Sequence, residues 1–277
     1  MAVQDHSSKM KPFRRITLLS LLIVAAICAV PARAAAPSAD EIIRRSLESF
    51  YYVGNSMRAR ISMRLINRDG KVREREMTVL RLNLGKSGDQ RYYIYLHGPV
   101  DIRGTSFLIW KYLAKDDDRW IYVPTLKLVK RISVDDKRSS FVGSDFTYED
   151  VSGRDLEDEA RVFLREEDFG GRPTYVVESK PKTPSDYSRR VSWIDQERWL
   201  PLKEEYLDGR DQPLRTYTAE KVVQIDGQWT ATARTMKNLQ SGHRTEVVFR
   251  ATEYGVGIKQ GIFTERYLRA APAPWVR

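Results

Sequence analysis

From residue 56 to residue 254 the chain is written almost entirely in period two, and this limits its fold more than any other feature. In MRARISMRL, Met57, Ala59, Ile61, Met63 and Leu65 alternate with Arg58, Arg60, Ser62 and Arg64. Successive side chains of a strand point to opposite faces, so such a segment has one apolar and one wet face. REREMTVLRLNL brings Met77 and Val79, then Leu80, Leu82 and Leu84, and QRYYIYL adds Tyr92, Ile94 and Leu96. The same pattern returns in RPTYVVES, RRVSWID, LPLKEEYLD, LRTYTAEKVVQ, QWTATARTMKNL and RTEVVFRATEY. Asp69-Gly70, Asp208-Gly209, Asp226-Gly227 and Ser241-Gly242 separate them, which is hairpin chemistry. Tightly joined strands imply an antiparallel meander, and ten or so strands cannot stay flat in one sheet.

One helix stands before this array. Ser38-Ala39-Asp40-Glu41 has the form of a capping box, Ile42, Ile43, Leu47, Phe50 and Tyr51 recur at helical spacing, and Gly54 ends the run. A helix over 40–52 with one apolar stripe needs a surface to cover. The expected architecture is mainly β: a strongly curved antiparallel sheet, an incomplete β-barrel, with the N-terminal helix across its concave face. FTERYL (263–268) reads as a last helical turn or edge strand, and the Pro-rich AAPAPW (270–275) as a loose tail.

Residues 1–34 are set apart. Lys9, Lys11, Arg14 and Arg15 precede the apolar run Ile16–Val30, and Ala32-Arg33-Ala34 offers a small-residue cleavage site, the form of a cleaved secretory signal peptide. The run is shorter than a bilayer span. Ile27 before Cys28 is a poor lipobox, and Ile16-Thr17 after Arg14-Arg15 a poor twin-arginine match. Residues 35–277 are then a single domain. Cys28 is the only cysteine of the 277 residues. An exported chain would hence have no disulfide or thiolate, and would rely on core burial. The net charge is +10, of which residues 1–34 carry +4, leaving +6. On an exported chain that excess favours anionic headgroups or acidic patches of membrane partners over nucleic acid.

Reactive chemistry is sparse. His97 and His243 are isolated, and no G-x-S-x-G, H-E-x-x-H, P-loop or G-x-G-x-x-G occurs. In VGSD, Ser144 reads as the cap of a turn or short helix. Acids such as Asp145, Glu149, Asp150, Asp155, Glu157 and Asp158 read as a solvated face; an envelope hydrolase would need two of them opposed. No enzyme activity, metal or cofactor is expected.

The segment 118–151 is the most distinctive. Trp120, Tyr122, Leu126 and Leu128 read as wall, Arg119, Lys127 and Arg131 as outer surface, and Phe141, Asp145, Phe146 and Tyr148 as a rim or docking loop. With them, Ile43, Leu47, Met57, Ile61, Met63, Met77, Val79, Ile94 and Phe107 make the candidate apolar lining, in which methionines suit a flexible ligand.

DDRWIYVPTLKLVKRIS followed by SFVGSDFTYEDV resembles the outer-membrane lipoprotein-sorting proteins of the LolA-like superfamily. The resemblance is to the larger periplasmic group often encoded beside exporters of the resistance-nodulation-division (RND, MMPL-type) class. DIRGTSFLIW, VSWIDQERWLPLKEEYLD and FTERYL extend it over most of residues 40–268. It implies a curved half-barrel plugged by helices and periplasmic carriage of lipid or of lipoprotein acyl chains toward the outer membrane. An inner-membrane exporter and an outer-membrane acceptor are the implied partners. The alternative is an accessory or docking subunit of such an exporter with no ligand of its own.

Overall fold

The first strand of the chain lies in the middle of its sheet. A computed structural model describes residues 1–2, 36–85 and 88–277; the signal-peptide expectation lies outside the described residues. Pro37–Arg277 is one compact unit. Helix α1 (Ala39–Tyr51) leads into β1 (Ser56–Ile66), β2 (Val72–Leu84), β3 (Asp89–Gly98), β4 (Ser106–Lys111), β5 (Asp118–Val123) and β6 (Leu128–Ile132). Then β7 (Glu159–Phe169), β8 (Arg172–Pro181), β9 (Arg189–Asp195), β10 (Pro201–Leu207), β11 (Pro213–Ile225), β12 (Gln228–Asn238) and β13 (Arg244–Tyr254) complete the set.

All thirteen strands form one antiparallel sheet of order β6-β5-β4-β3-β2-β1-β13-β12-β11-β10-β9-β8-β7, not closed into a barrel. The chain therefore meanders outward to one edge, crosses to the other in residues 133–158, and meanders back until β13 meets β1. The hairpin turns follow from their residues. Asp226 and Gly227 both have positive φ (48° and 76°), the two-residue turn whose twist matches its strands. At Asn67-Arg68-Asp69-Gly70 the Asn67 Oδ1 accepts from the N–H groups of Asp69 and Lys71. Bulges at Arg60/Ile61 and Ala219/Lys221 bend the strands further.

One core cluster joins Ile61, Met63, Met77, Ile94 and Phe107 to Tyr206, Tyr217 and Met236 across the sheet. A flat sheet from β3 to β10 would spread these residues over about 30 Å at normal strand spacing. Their contact requires the sheet to roll, and this inner face is the concave one. Over the β8–β9 end of it, Ile42 and Ile43 of α1 pack against Val177 and Ile194.

The outer face of β2–β5 is also covered. Leu80, Tyr93 and Leu108 are fully buried against Ile258, Phe263, Leu268 and Val276. Tyr93 Oη donates to Tyr267 O (2.8 Å), Ser106 Oγ to Leu268 O (2.8 Å) and Trp110 Nε1 to Phe263 O (2.9 Å). FTERYL thus contains a short helix (Glu265–Arg269), and the expected loose tail is instead docked through Val276.

This second layer reverses the face assignment in β5. Trp120 pairs with Leu108 and packs with the C-terminal layer, as does Tyr122, while Ile121 pairs with Phe107 on the concave side. Trp120 and Tyr122 are therefore outer-face residues, not lining. Leu128 and Leu126, at the free edge, are 47% and 68% exposed and wall nothing. Arg119 is not outer surface: it is buried, donating to Asp117 Oδ2 at 2.6 Å. Period two separates two faces; where both are covered, it does not say which is inner.

Candidate functional site

The concave face encloses a cavity of about 140 Å³ with three walls. Its floor is strand, with Met57, Ile61, Met63, Met77, Val79, Ile94, Met236 and Val247 among the apolar residues. The second wall is α1, through Ile43, Ser46, Leu47, Phe50 and Tyr51, and the third is the edge-to-edge crossover, through Phe141, Phe146, Asp150, Val151 and Arg154.

Helix α1 is set by its ends. Ser38 Oγ accepts from Glu41 N (3.2 Å), but the Glu41 carboxylate pairs with Arg44 and Arg45 on the wet face, so only half of the capping box forms. At the other end three side chains hold carbonyls that an α-helix leaves without partners. Arg81 donates to Tyr51 O (2.5 Å) and to Val53 O; Gln90 Nε2 donates to Tyr51 O (2.8 Å); Asn83 Nδ2 donates to Tyr52 O (2.8 Å) and Gly54 O (2.7 Å). A cation is also favoured there by the helix dipole. Arg81 is almost fully buried, and burial lowers its pKa.

The crossover closes the opposite side. Ser140 bridges to Thr147, and Phe141 N donates to Phe146 O (2.8 Å), folding 140–147 into a tight loop. Phe141 and Tyr148 pack on Phe107 (ring centroids 5.2 and 6.0 Å). Phe107 is thus on the concave face but screened from the cavity by these two rings. Phe141 and Phe146 are buried and point inward, and the Asp145 carboxylate is tied to His243 Nδ1 (2.6 Å) and Thr245 Oγ1 (2.7 Å). Phe141, Asp145, Phe146 and Tyr148 therefore form a plug rather than an exposed docking loop, because burying two phenylalanines outweighs displaying them. Ser144 Oγ meets Phe146 N in that loop, and the helix cap is Thr147, whose capping box with Asp150 starts α2 (Tyr148–Ser152).

The crossover's charges continue into one end of the cavity. Arg154 pairs with Asp150 and sits 3.4 Å from Glu149; Arg190 donates to Glu204 Oε1 and Glu159 Oε2, both at 2.6 Å. Tyr187 Oη donates to Glu159 (2.7 Å) and Tyr206 Oη to Glu204 (2.6 Å). Burial opposes ionisation of Asp150, but Arg154, Arg215 and the Thr147 N–H outweigh it and hold the carboxyl at about 2. Burial is likewise outweighed at Glu159, also held at about 2, by Arg190, Arg154 and the Tyr187 hydroxyl. At Glu149 burial prevails and raises the pKa. The acids expected to form a solvated face are, in Glu149 and Asp150, buried members of this network.

Ile43, Leu47, Met57, Ile61, Met63, Met77, Val79 and Ile94 come together around the cavity. The charged lining residues Arg81, Arg154, Arg190, Glu204 and Arg234 were not among the sequence candidates. Their signal is register: Arg81 continues the inward series Met77, Val79, and Arg234 lies two residues from Met236. His97 meets Thr78 Oγ1 at 2.8 Å, and burial followed by the nearby Arg60 and Arg103 pushes its pKa to about 4. Among the described residues no group of three or more His, Cys, Asp or Glu is arranged to hold a metal, and no helix is long and apolar enough to cross a membrane.

A family model described as an uncharacterized protein matches residues 88–270. No curated protein matches the chain. Among solved structures, a DUF1329 family protein from Desulfovibrio piger is 30% identical with a TM-score of 0.75, over 83% of this chain and 96% of that one. An outer membrane lipoprotein-sorting protein domain from Vibrio parahaemolyticus is 30% identical with a TM-score of 0.77, over 83% and 98%. A LolA superfamily protein from Nitrosomonas europaea shares the fold at 21% identity and a TM-score of 0.66, over 84% and 100%. With the rolled sheet, the covering helix and the 30% identity over most of both chains together, the chain belongs to the family of DUF1329 and outer-membrane lipoprotein-sorting proteins.

Proposed function

We propose that this protein is a periplasmic, non-enzymatic carrier that shields the acyl chains of lipid or of lipidated protein in the concave cavity and passes them toward the outer membrane. The observation that carries this is the methionine-rich cavity floored by the sheet and closed by two separate covers, α1 and the 140–154 segment. Kinship with a lipoprotein-sorting protein supports it. A cavity of about 140 Å³ is close to one that takes up a molecule of benzene, and too small for a sixteen-carbon chain. Loading therefore requires a cover to move. Burying such a chain is worth about 12 kcal/mol at about 0.8 per CH₂. Exposing Ile42 and Ile43 by lifting α1 costs roughly 3–6 kcal/mol. The chain's burial exceeds that cost, so cargo can hold the cover open.

The test is lipid extraction and mass spectrometry of protein purified from its native envelope, paired with a cavity-filling variant, Met77→Trp. Acyl ligand is expected to co-purify with the natural chain and to be lost from the variant while its β-sheet circular dichroism persists. A natural chain that is repeatedly empty and binds no acyl probe counts against the carrier.

An accessory subunit of an RND-type exporter is the second possibility, and the two sheet edges, unpaired among the described residues, favour it. On β7 Val162 and Leu164 are 58% and 41% exposed, and at β6 Leu126 and Leu128 are exposed as well. Unpaired edges recruit strands. Lysine substitutions at Leu126 and Val162 that abolish export-linked activity but leave acyl binding intact would favour docking.

A further inference from the structure

We propose that the cavity contains an anion site, formed by the guanidinium of Arg234 and the hydroxyl of Tyr217, for the ionised carboxylate head of a single-chain acyl ligand. This rests on the carrier function above and names the ligand class. Tyr217 on β11 and Arg234 on β12 share the inner face, since Tyr217 stands opposite Met236 and Arg234 opposite Ala219. Both line the cavity.

Arg234 is bound differently from the other lining cations. Arg154 is paired with Asp150, Arg190 with Glu159 and Glu204, and Arg81 with backbone carbonyls. The guanidinium of Arg234 meets two rings, Phe50 at 4.3 Å and Phe249 at 4.4 Å. Both rings attract its charge while the residue stays half-buried. Its Nε donates to Ala231 O at 2.8 Å. Among the described residues no carboxylate pairs with Arg234, and its two terminal nitrogens have no protein acceptor and are not fully buried. Beside it, Tyr217 is 4% exposed and its hydroxyl has no partner among the described residues. Burial raises the phenol's pKa, so it remains a donor at neutral pH. Buried donors without acceptors are costly. The Tyr217 hydroxyl is such a donor, and with the half-buried Arg234 guanidinium on the same face of the sheet it defines where an acceptor with negative charge would sit.

The donor set fits a carboxylate. A guanidinium edge matches its two oxygens in one plane, and the phenol adds one further bond. A phosphate head brings more charge, while Asp150 and Glu204, which also line the cavity, disfavour a second negative charge. Phe50 belongs to α1 and Phe249 to β13, so lifting the helix to admit a chain leaves Phe249 as the ring on Arg234.

Calorimetric titration of the delipidated, exported protein with submicellar oleate, oleyl alcohol and oleoyl lysophosphatidic acid tests this. Oleate is expected to bind roughly tenfold or more tighter than the alcohol, the effect of a charge-assisted hydrogen bond. Arg234→Gln should bring the ratio near one, Tyr217→Phe should lower it about threefold, and neither should change the affinity for the alcohol. Equal affinities for oleate and alcohol in the natural chain overturn the anion site and leave the carrier standing. Binding of neither overturns the carrier itself. Preference for lysophosphatidic acid overturns the carboxylate assignment. Should Arg234→Gln melt below the assay temperature, the three-ligand series on the natural chain decides alone.

Discussion

At the scale of single residues, the charges inside the fold determine how it opens. Arg81 fastens the C-terminal end of α1 through bonds to Tyr51 and Val53 carbonyls. Replacing it by methionine keeps the volume and removes the donors. Docking of α1 should weaken by roughly 1.5–3 kcal/mol, the usual worth of hydrogen bonds to a charged group. Hydrogen exchange over residues 42–51 should rise tenfold or more, and a bound acyl probe should leave faster. Asp150 and Glu159 give the acid limit. Both titrate at about 2 in the fold, against about 4 in an unfolded chain. Their contribution, roughly 2 kcal/mol each, is complete above pH about 4 and is lost as pH falls toward 2. Glu149, with its raised pKa, takes up a proton earlier and offsets part of that loss. Urea midpoints measured across this window should fall steeply, and less steeply in Asp150→Asn. None of these roles is visible in sequence, because a buried arginine and a solvated one are the same letter. Register narrows the choice: Arg81, Arg190 and Arg234 each stand an even number of residues from an inward apolar neighbour, Val79, Ile194 and Met236.

Among the elements, hairpins and α1 were legible because each is encoded locally, by alternation, by Asp-Gly turns and by Ser38 as a cap. What was not local was not legible. The C-terminal residues 270–275 read as loose because nothing in a Pro-rich stretch declares a docking surface; that surface is supplied by β2–β5, some 150 residues earlier by rough count. The same layer is why Trp120 and Tyr122 point away from the cavity. Deleting 256–277 would expose Leu80, Tyr93 and Leu108, at roughly 1.5–3 kcal/mol each. That sum approaches the whole stability of an ordinary domain. The truncated chain should aggregate or melt at least 10 °C lower, by roughly 2–4 °C per kcal/mol, although no lining residue of the cavity is removed.

For the whole molecule, the crossover does more than connect. The sheet is open, with β6 and β7 at its edges, and the only chain between them is 133–158. To pass from one edge to the other, that segment must run over the mouth of the roll, which is why the stretch richest in pattern and poorest in reactive groups became the plug. Asp150 reaches Arg215 of β11 (3.8 Å), and Glu159, where the crossover ends, pairs with Arg190 of β9; these ion pairs tie the plug to that side of the sheet. Replacing 140–147 with a Gly/Ser linker should preserve the far-ultraviolet β signal. Retention of an acyl probe should fall at least tenfold, as measured by its dissociation rate, because burying Phe141 and Phe146 contributes more than the 1.4 kcal/mol of one decade.

The meeting of β1 and β13 also dictates an order of events during synthesis. Their paired residues are separated by roughly 180–200 positions in the chain, as in Ile66 with Arg244 and Met57 with Tyr254. A chain threaded amino-end first delivers β1 early and its second neighbour almost last. Until then β1 has a free side, and the nascent protein carries a sticky, half-finished seam through its centre rather than at its margin. A chain stopped at residue 243 should therefore depend on holding chaperones far more than one that lacks α1, whose removal leaves the seam intact.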